Sequence, residues 1–226
     1  MNRPHVLINV AATADGKLDT VEGRGAAISS PRDKERVDRL RAASDAVMVG
    51  GHTLLGEDPK LTVKSAALQA ERVARGWSRH PAKVGIVSRP DLRADAQFLT
   101  AGPARCILFT TAQATATQLA GLRERGAEVY VLGETRVDLP AALEKLQELG
   151  VNHLLVEGGA TLNFELLRLR LVDEVQIYLA PLIFGGARAP TLAGGAGLPR
   201  TEAIALHPTN VEVWDDGGVV LHYAVR

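Results

Sequence analysis

Short apolar runs of strand length recur along this chain, separated by segments with helix-start and helix-stop chemistry. That alternation restricts the fold more than any other feature. Residues 6–12, 46–49, 84–87, 107–109, 129–132, 153–156 and 175–179 read as strands. Ser30-Pro31-Arg32-Asp33 opens a helix: Ser30 can cap it, Pro31 fits the first turn, and Asp33 suits its positive end. A second helix runs through Gln118, Leu119 and Leu122 and stops near Gly126. A third starts at Asp138-Leu139-Pro140 and closes at Gly150, and a fourth spans residues 161–169. The pattern then changes: residues 211–214, the turn Asp215-Asp216-Gly217-Gly218 and residues 219–225 read as a β-hairpin. The expected fold is a three-layer α/β/α domain over residues 1–226, with a mostly parallel central sheet and an antiparallel C-terminal hairpin. Residues 65–79, rich in Ala, Arg and Glu, read as a surface helix or an insertion.

Composition removes several function classes. Hydrophobic residues make up 46% of the chain and aromatics only 4%, so the core is built from Ala, Val, Leu and Ile. The 26 basic and 26 acidic residues cancel, which gives no broad nucleic-acid footprint. The one cysteine, Cys106, sits in an apolar run and reads as core; alone it supports neither an intrachain disulfide nor a multi-cysteine metal site. The six histidines lack ligand spacing, so no metal is expected. No apolar stretch is long enough to span a bilayer, and a cytoplasmic location is the default expectation.

Four places could carry chemistry. In Val156-Glu157-Gly158-Gly159-Ala160-Thr161 a strand ends on an acid, two glycines follow, and a helix begins. Ligands of open parallel sheets bind at such strand ends, and a helix N-terminus offers free N–H groups to a phosphate. The alternative is a plain tight turn with Glu157 as a solvated cap. The segment from Gly50-Gly51 to Lys64 again follows a strand; Thr53, Lys60 and Lys64 could meet a phosphate, or it is a surface loop turning at Asp58-Pro59. Residues 11–17, with Ala11-Ala12 and Asp15-Gly16-Lys17, could lie against a flat ring; by themselves they read better as a strand followed by a turn. Arg41, close to the apolar helix face, either snorkels or binds an anion. The glycine fingerprint of dinucleotide-binding folds, Walker A, the zincin and serine-hydrolase motifs and the zinc-deaminase signature are all missing.

In order, these segments resemble the reductase family of riboflavin biosynthesis, whose fold is dihydrofolate-reductase-like. The resemblance covers residues 6–186. It is carried by Asn9-Val10-Ala11-Ala12 with Asp15-Gly16-Lys17, by Leu40-Arg41 with Asp45-Ala46-Val47, and by residues 53–62. Further on it includes Val156-Glu157-Gly158-Gly159, Leu171-Val172-Asp173-Glu174, and Ala180-Pro181 with Gly185-Gly186. The resemblance implies NADPH contacts from Ala12, Thr53, Glu57, Ser88, Arg89, Gly158, Gly159, Ala160, Thr161, Leu162 and Asn163. Glu57 stands where the family often has Asp, and Ser88-Arg89 where a 2′-phosphate could sit. It also implies substrate contacts from Gly25, Arg41, Leu61, Lys64 and Glu157, with Arg41 and Lys64 holding a substrate phosphate.

The implied reaction is hydride transfer to the ribose of a phosphorylated ribosylamino-pyrimidine, with Glu157 and Asn9 in catalytic roles. Asn9 stands where the bifunctional deaminase-reductases usually carry Lys and resembles the stand-alone enzymes. This tilts the expected substrate to 2,5-diamino-6-ribosylamino-4(3H)-pyrimidinone 5′-phosphate over its deaminated uracil counterpart. Other readings on the same fold are a dihydrofolate or pterin reductase and a non-catalytic nucleotide-binding dimerisation module. The family implies a homodimer, with no nucleic-acid or membrane partner.

Overall fold

Strands form where the apolar runs are continuous, and helices lie between them, some opened by a capping side chain and others by glycine. The computed structural model describes residues 2–23 and 25–226. Along the chain the elements are β1 (His5–Thr13), α1 (Pro31–Ala43), β2 (Ala46–Gly50), α2 (Gly51–Gly56), α3 (Ala66–Ala74), β3 (Ala82–Ile86), α4 (Gln97–Thr100) and β4 (Cys106–Thr110). They continue with α5 (Ala116–Glu124), β5 (Glu128–Val131), α6 (Leu139–Glu148), β6 (His153–Val156), α7 (Ala160–Arg168), β7 (Glu174–Ala180), a short 3-10 turn, β8 (Leu206–Val213) and β9 (Val219–Val225). The chain divides into two compact units, one of Val37–Leu155 with the residues up to Pro4, the other of His5–Arg36 and Val156–Arg226.

The first unit orders its strands β5-β4-β3-β2-β6. β2, β3, β4 and β5 pair in parallel, with Gly50 opposite Ile86, Ile86 opposite Phe109 and Phe109 opposite Tyr130. Every residue of β2 and of β4 is buried, as expected of parallel strands covered on both faces. Cys106 lies in this core, where burial pushes its thiol pKa up. Asp138 caps α6 through the Ala141 N–H, and Gly150 ends it at φ +85°, a conformation only glycine takes without strain.

The second unit orders its strands β1-β7-β9-β8. β1 and β7 are parallel, whereas β7–β9 and β9–β8 are antiparallel. Ile28, Tyr178, Ala180, Trp214 and Val220 form its buried cluster. The expected class therefore holds: mostly parallel strands with interleaved helices, closing on antiparallel C-terminal strands.

Several local expectations change. The segment after Gly50, read as a loop, begins as helix α2; two glycines and a six-residue length hid it, and burial of Thr53 and Leu54 holds it. Residues 65–79 contain α3, capped by Ser65 and anchored by Arg72, which donates to the carbonyls of Ala42, Ser44 and Ser78. The C-terminal hairpin starts at Leu206, five residues earlier than expected. The irregularity at Pro208/Asn210 masks its alternation. Asp58, read as a turn residue, also acts at long range. Its carboxylate accepts from the Gln97 and Phe98 N–H groups and starts α4.

Candidate functional site

The residues singled out from sequence fall into groups that local structure assembles for clear reasons. In the first unit, β2 and β3 end level. A side chain on Gly51 would lie 3.3 Å from Val87 Cγ2, so glycine permits the close approach between these strand ends. Thr53 is buried in α2, and its carbonyl accepts from the Glu57 N–H; Glu57 itself is exposed. Ser88 follows β3 and is half-buried. Its carbonyl accepts from the hydroxyls of Thr110 at 3.1 Å and Thr111 at 2.9 Å, which anchors this turn to the end of β4. Arg89 is exposed and donates through Nε to Gln113 at 3.1 Å. A hydroxyl and a guanidinium at one carboxyl edge can take an anion.

Also in the first unit, α1 holds the segment that carries Leu61 and Lys64. The Asp38 carboxylate accepts from the N–H groups of Lys64 at 2.7 Å and Ser65 at 2.8 Å. One turn later Arg41 donates to the Thr62 carbonyl at 3.1 Å. Leu61 is 1% exposed and sits at φ +51°, so it is held by the core, not free to swing. Arg41, on α1, is half-buried, and Lys64, on the segment that α1 pins, is exposed.

In the second unit, Ala12 lies 3% exposed near the end of β1, opposite Leu179. Glu157, half-buried, follows β6. Gly158 has φ +102°, and a side chain built on it would meet no atom within 4 Å, so the backbone here borders open space. The Gly158–Gly159 peptide is cis. Gly159 occupies the cap of α7 with no side-chain hydrogen bond to the first turn. Ala160 and Asn163 tie that turn to residues 192–194: the Ala160 carbonyl accepts from Gly194, and Asn163 Nδ2 donates to the Leu192 carbonyl. Thr161 is exposed and Leu162 buried, while Asn163 is fully enclosed, so its side chain serves this internal tie. Gly25 is exposed at φ +79°, its N–H donating to Asp19 at 2.7 Å.

Asn9 is 6% exposed and accepts from Arg36 at 2.8 Å. Arg36, Asp38 and Asp19 were missed from sequence, and Asp33 was read only as an acid at a helix start. The signal was present for the α1 residues, since Asp33, Arg36 and Leu40 share a helix face by three- and four-residue spacing. An i,i+3 acid–base pair, however, reads as a solvated surface pair. Asp15 was read as a turn; its carboxyl is held below its usual range first by the Thr13 hydroxyl, then by the N–H groups of Gly185 and Phe184. A cavity of about 320 Å³ in the second unit is lined by Phe164, Leu167, Val175, Leu192, Leu198 and Ile204 among others. It carries no polar side chain and none of the residues singled out above, so it does not suit a phosphorylated ligand. Among the described residues no helix is long and apolar enough to cross a membrane.

A mostly parallel α/β frame with glycine, hydroxyl and guanidinium groups at its strand ends, including a helix start without a side-chain cap at Gly159, is the kind of frame on which α/β proteins bind nucleotides and phosphates. The chain belongs to the RibD C-terminal domain family, whose model matches residues 4–221. It is 42% identical over 193 residues to the 2,5-diamino-6-ribosylamino-4(3H)-pyrimidinone 5′-phosphate reductase of Archaeoglobus fulgidus, covering 85% of this chain and 87% of that one. To the protein of the same name from Methanothermobacter thermautotrophicus it is 40% identical over 205 residues, 90% of each chain. Its fold matches that of a pyrimidine reductase-like protein from Corynebacterium diphtheriae with a TM-score of 0.85 at 19% identity, covering 100% of this chain and 93% of that one.

Proposed function

We propose that the chain, as one reductase, uses NADPH to reduce the ribose of 2,5-diamino-6-ribosylamino-4(3H)-pyrimidinone 5′-phosphate to the ribityl chain, in riboflavin biosynthesis. The observation that carries this reading is the pinned pair Arg41 and Lys64, together with the names of the two relatives above. A pterin brings no phosphate for those cations to hold, which weighs against a dihydrofolate-type substrate.

The residues present suit a nicotinamide dinucleotide. The open backbone at Gly158 and the helix start at Gly159, which lacks a side-chain cap, fit a pyrophosphate, and Ser88 with Arg89 fits a 2′-phosphate, favouring NADPH over NADH. Thr53, Ala12 and the first turn of α7 complete that set; Glu57 contributes from the end of α2 and Asn163 from within α7. When bound, the cofactor supplies the hydride for ribose C1′. The chain's own residues bind and orient. Arg41 and Lys64 hold the substrate phosphate, Leu61 and Gly25 border the substrate, and Glu157 binds the pyrimidine edge and steadies positive charge on the opened sugar amine. Asn9 meets the substrate from β1.

The test is NADPH oxidation at 340 nm with the diamino-pyrimidinone phosphate, its deaminated uracil counterpart and a dephosphorylated form supplied separately. The first is expected to turn over fastest, and the dephosphorylated form to lose about tenfold or more in kcat/KM. Equal rates with and without phosphate would remove Arg41 and Lys64 from the site. NADPH binding without oxidation would favour a nucleotide-binding module. A cytoplasmic homodimer belongs to the same proposal, because β8 exposes Leu206, Val211 and Val213 at a sheet edge. Light scattering that finds only monomer at micromolar concentration would count against it.

A further inference from the structure

Arg36 is a cation where cations rarely sit, 8% exposed beside the fully buried Asp33. Each of its guanidinium nitrogens donates: Nε to Asp33 Oδ1 at 2.9 Å, one terminal nitrogen to Gln176 Oε1 at 2.9 Å, the other to Asn9 Oδ1 at 2.8 Å. Asn9 and Gln176 stand opposite each other across β1 and β7, so one fork spans both strands. Arginine has donors and no acceptor, so the Asn9 atom that faces it must be the carboxamide oxygen. Turning the carboxamide over would set N–H against N–H beside a charge. The amide nitrogen therefore points away from Arg36. Among the described residues none accepts from Asn9 Nδ2, which leaves its donors for the substrate in the reductase reading.

We infer that Arg36 is a positioning residue that fixes the Asn9 carboxamide so that Asn9 presents only N–H donors to the substrate. The substrate atom opposite is then a hydrogen-bond acceptor, a carbonyl or hydroxyl oxygen of the ribosylamino-pyrimidine. Asn9 so held cannot take a proton from the substrate; its contribution is a donated hydrogen bond. This rests on the reductase reading above, in which Asn9 meets the substrate.

The experiment is a double-mutant cycle on the full chain. Arg36→Lys keeps a charge opposite Asp33 but cannot span three acceptors as a fork does. It is expected to lower kcat/KM for the pyrimidine by about tenfold, with NADPH affinity within about twofold of the parent. In an Asn9→Ala background the same change is expected to cost less than about twofold further, because Arg36 acts through Asn9. Asn9→Asp keeps an oxygen toward Arg36 and removes the donors. It is expected to lose about tenfold or more in kcat/KM with an unchanged melting temperature, and it decides the matter alone if Arg36→Lys does not fold. Losses that simply add in the double variant, or full turnover by Asn9→Asp, overturn the inference while leaving the reductase reading intact. Absence of turnover in the unaltered protein overturns that reading and this one with it.

Discussion

Helices α5 and α7 are both nine residues long and both follow a short strand, yet they begin in opposite ways. At α5 the Thr115 hydroxyl accepts from the Gln118 N–H while the Gln118 side chain accepts from the Thr115 N–H. The chain satisfies its own orphan donors there, as a capping box does. At α7 the cap is Gly159, which has no side chain to offer, and the glycine before it borders open space. The first arrangement serves stability alone. The second leaves the first turn without a side-chain cap, at some cost to the isolated fold; in the proposed function a cofactor phosphate meets it. Within one chain, helices of equal length thus start with and without a cap of their own.

Four changes test that contrast. The largest effect is expected from Gly159→Asp. The cap residue has φ −80°, which any residue adopts, so the chain should fold, but the new carboxylate competes with a phosphate. NADPH affinity measured by calorimetry should fall roughly thirtyfold, about 2 kcal/mol. Unchanged affinity would mean that α7 starts no binding site. Next is Glu157→Gln, expected to lower turnover about tenfold or more with little change in NADPH affinity; unaltered turnover would take Glu157 out of the chemistry. Thr115→Ala should cost about 1 kcal/mol in denaturant unfolding and nothing in NADPH binding. A loss of binding there would erase the distinction between the two helix starts.

The smallest effect concerns pH. Asp15 has a folded pKa below its usual 3.8, chiefly because of the Thr13 hydroxyl. Its contribution to stability is therefore fully present above that value and is lost as pH falls through the folded pKa. Asp15→Asn should lower the melting temperature slightly at neutral pH and converge with the parent as pH falls below about 4, so the acid limb of its thermal-melt profile is flatter.

Much of the fold was legible beforehand. The continuous apolar runs of β2 and β4 announced buried parallel strands, and Asp138, Gly150 and Gly126 marked helix ends by chemistry that acts within a few residues. The illegible parts share a cause. Asp58 caps a helix 39 residues further on, and Asp38 pins a segment 26 residues away. A carboxylate's partners across such distances depend on where the chain returns, which no local pattern encodes. The same holds for the candidate site: Glu157 and Gly158-Gly159 stood out because strand, acid and glycines are contiguous, whereas Arg36, three residues from Asp33, has only the local pattern of a surface ion pair.

By itself the sequence determined the alternation of strands and helices, the antiparallel finish, the family, and which strand ends carry glycine, acid and cation. Those features come from side-chain period, backbone permissiveness and capping, all of which act over a few residues. Only the tertiary structure decided that Asn9, Arg36 and Gln176 form one buried hydrogen-bonded fork, and that α1 grips the segment holding Lys64. Those contacts exist because pairing β1 with β7 brings together residues 167 positions apart, and burial then leaves each polar group dependent on the partner it finds there.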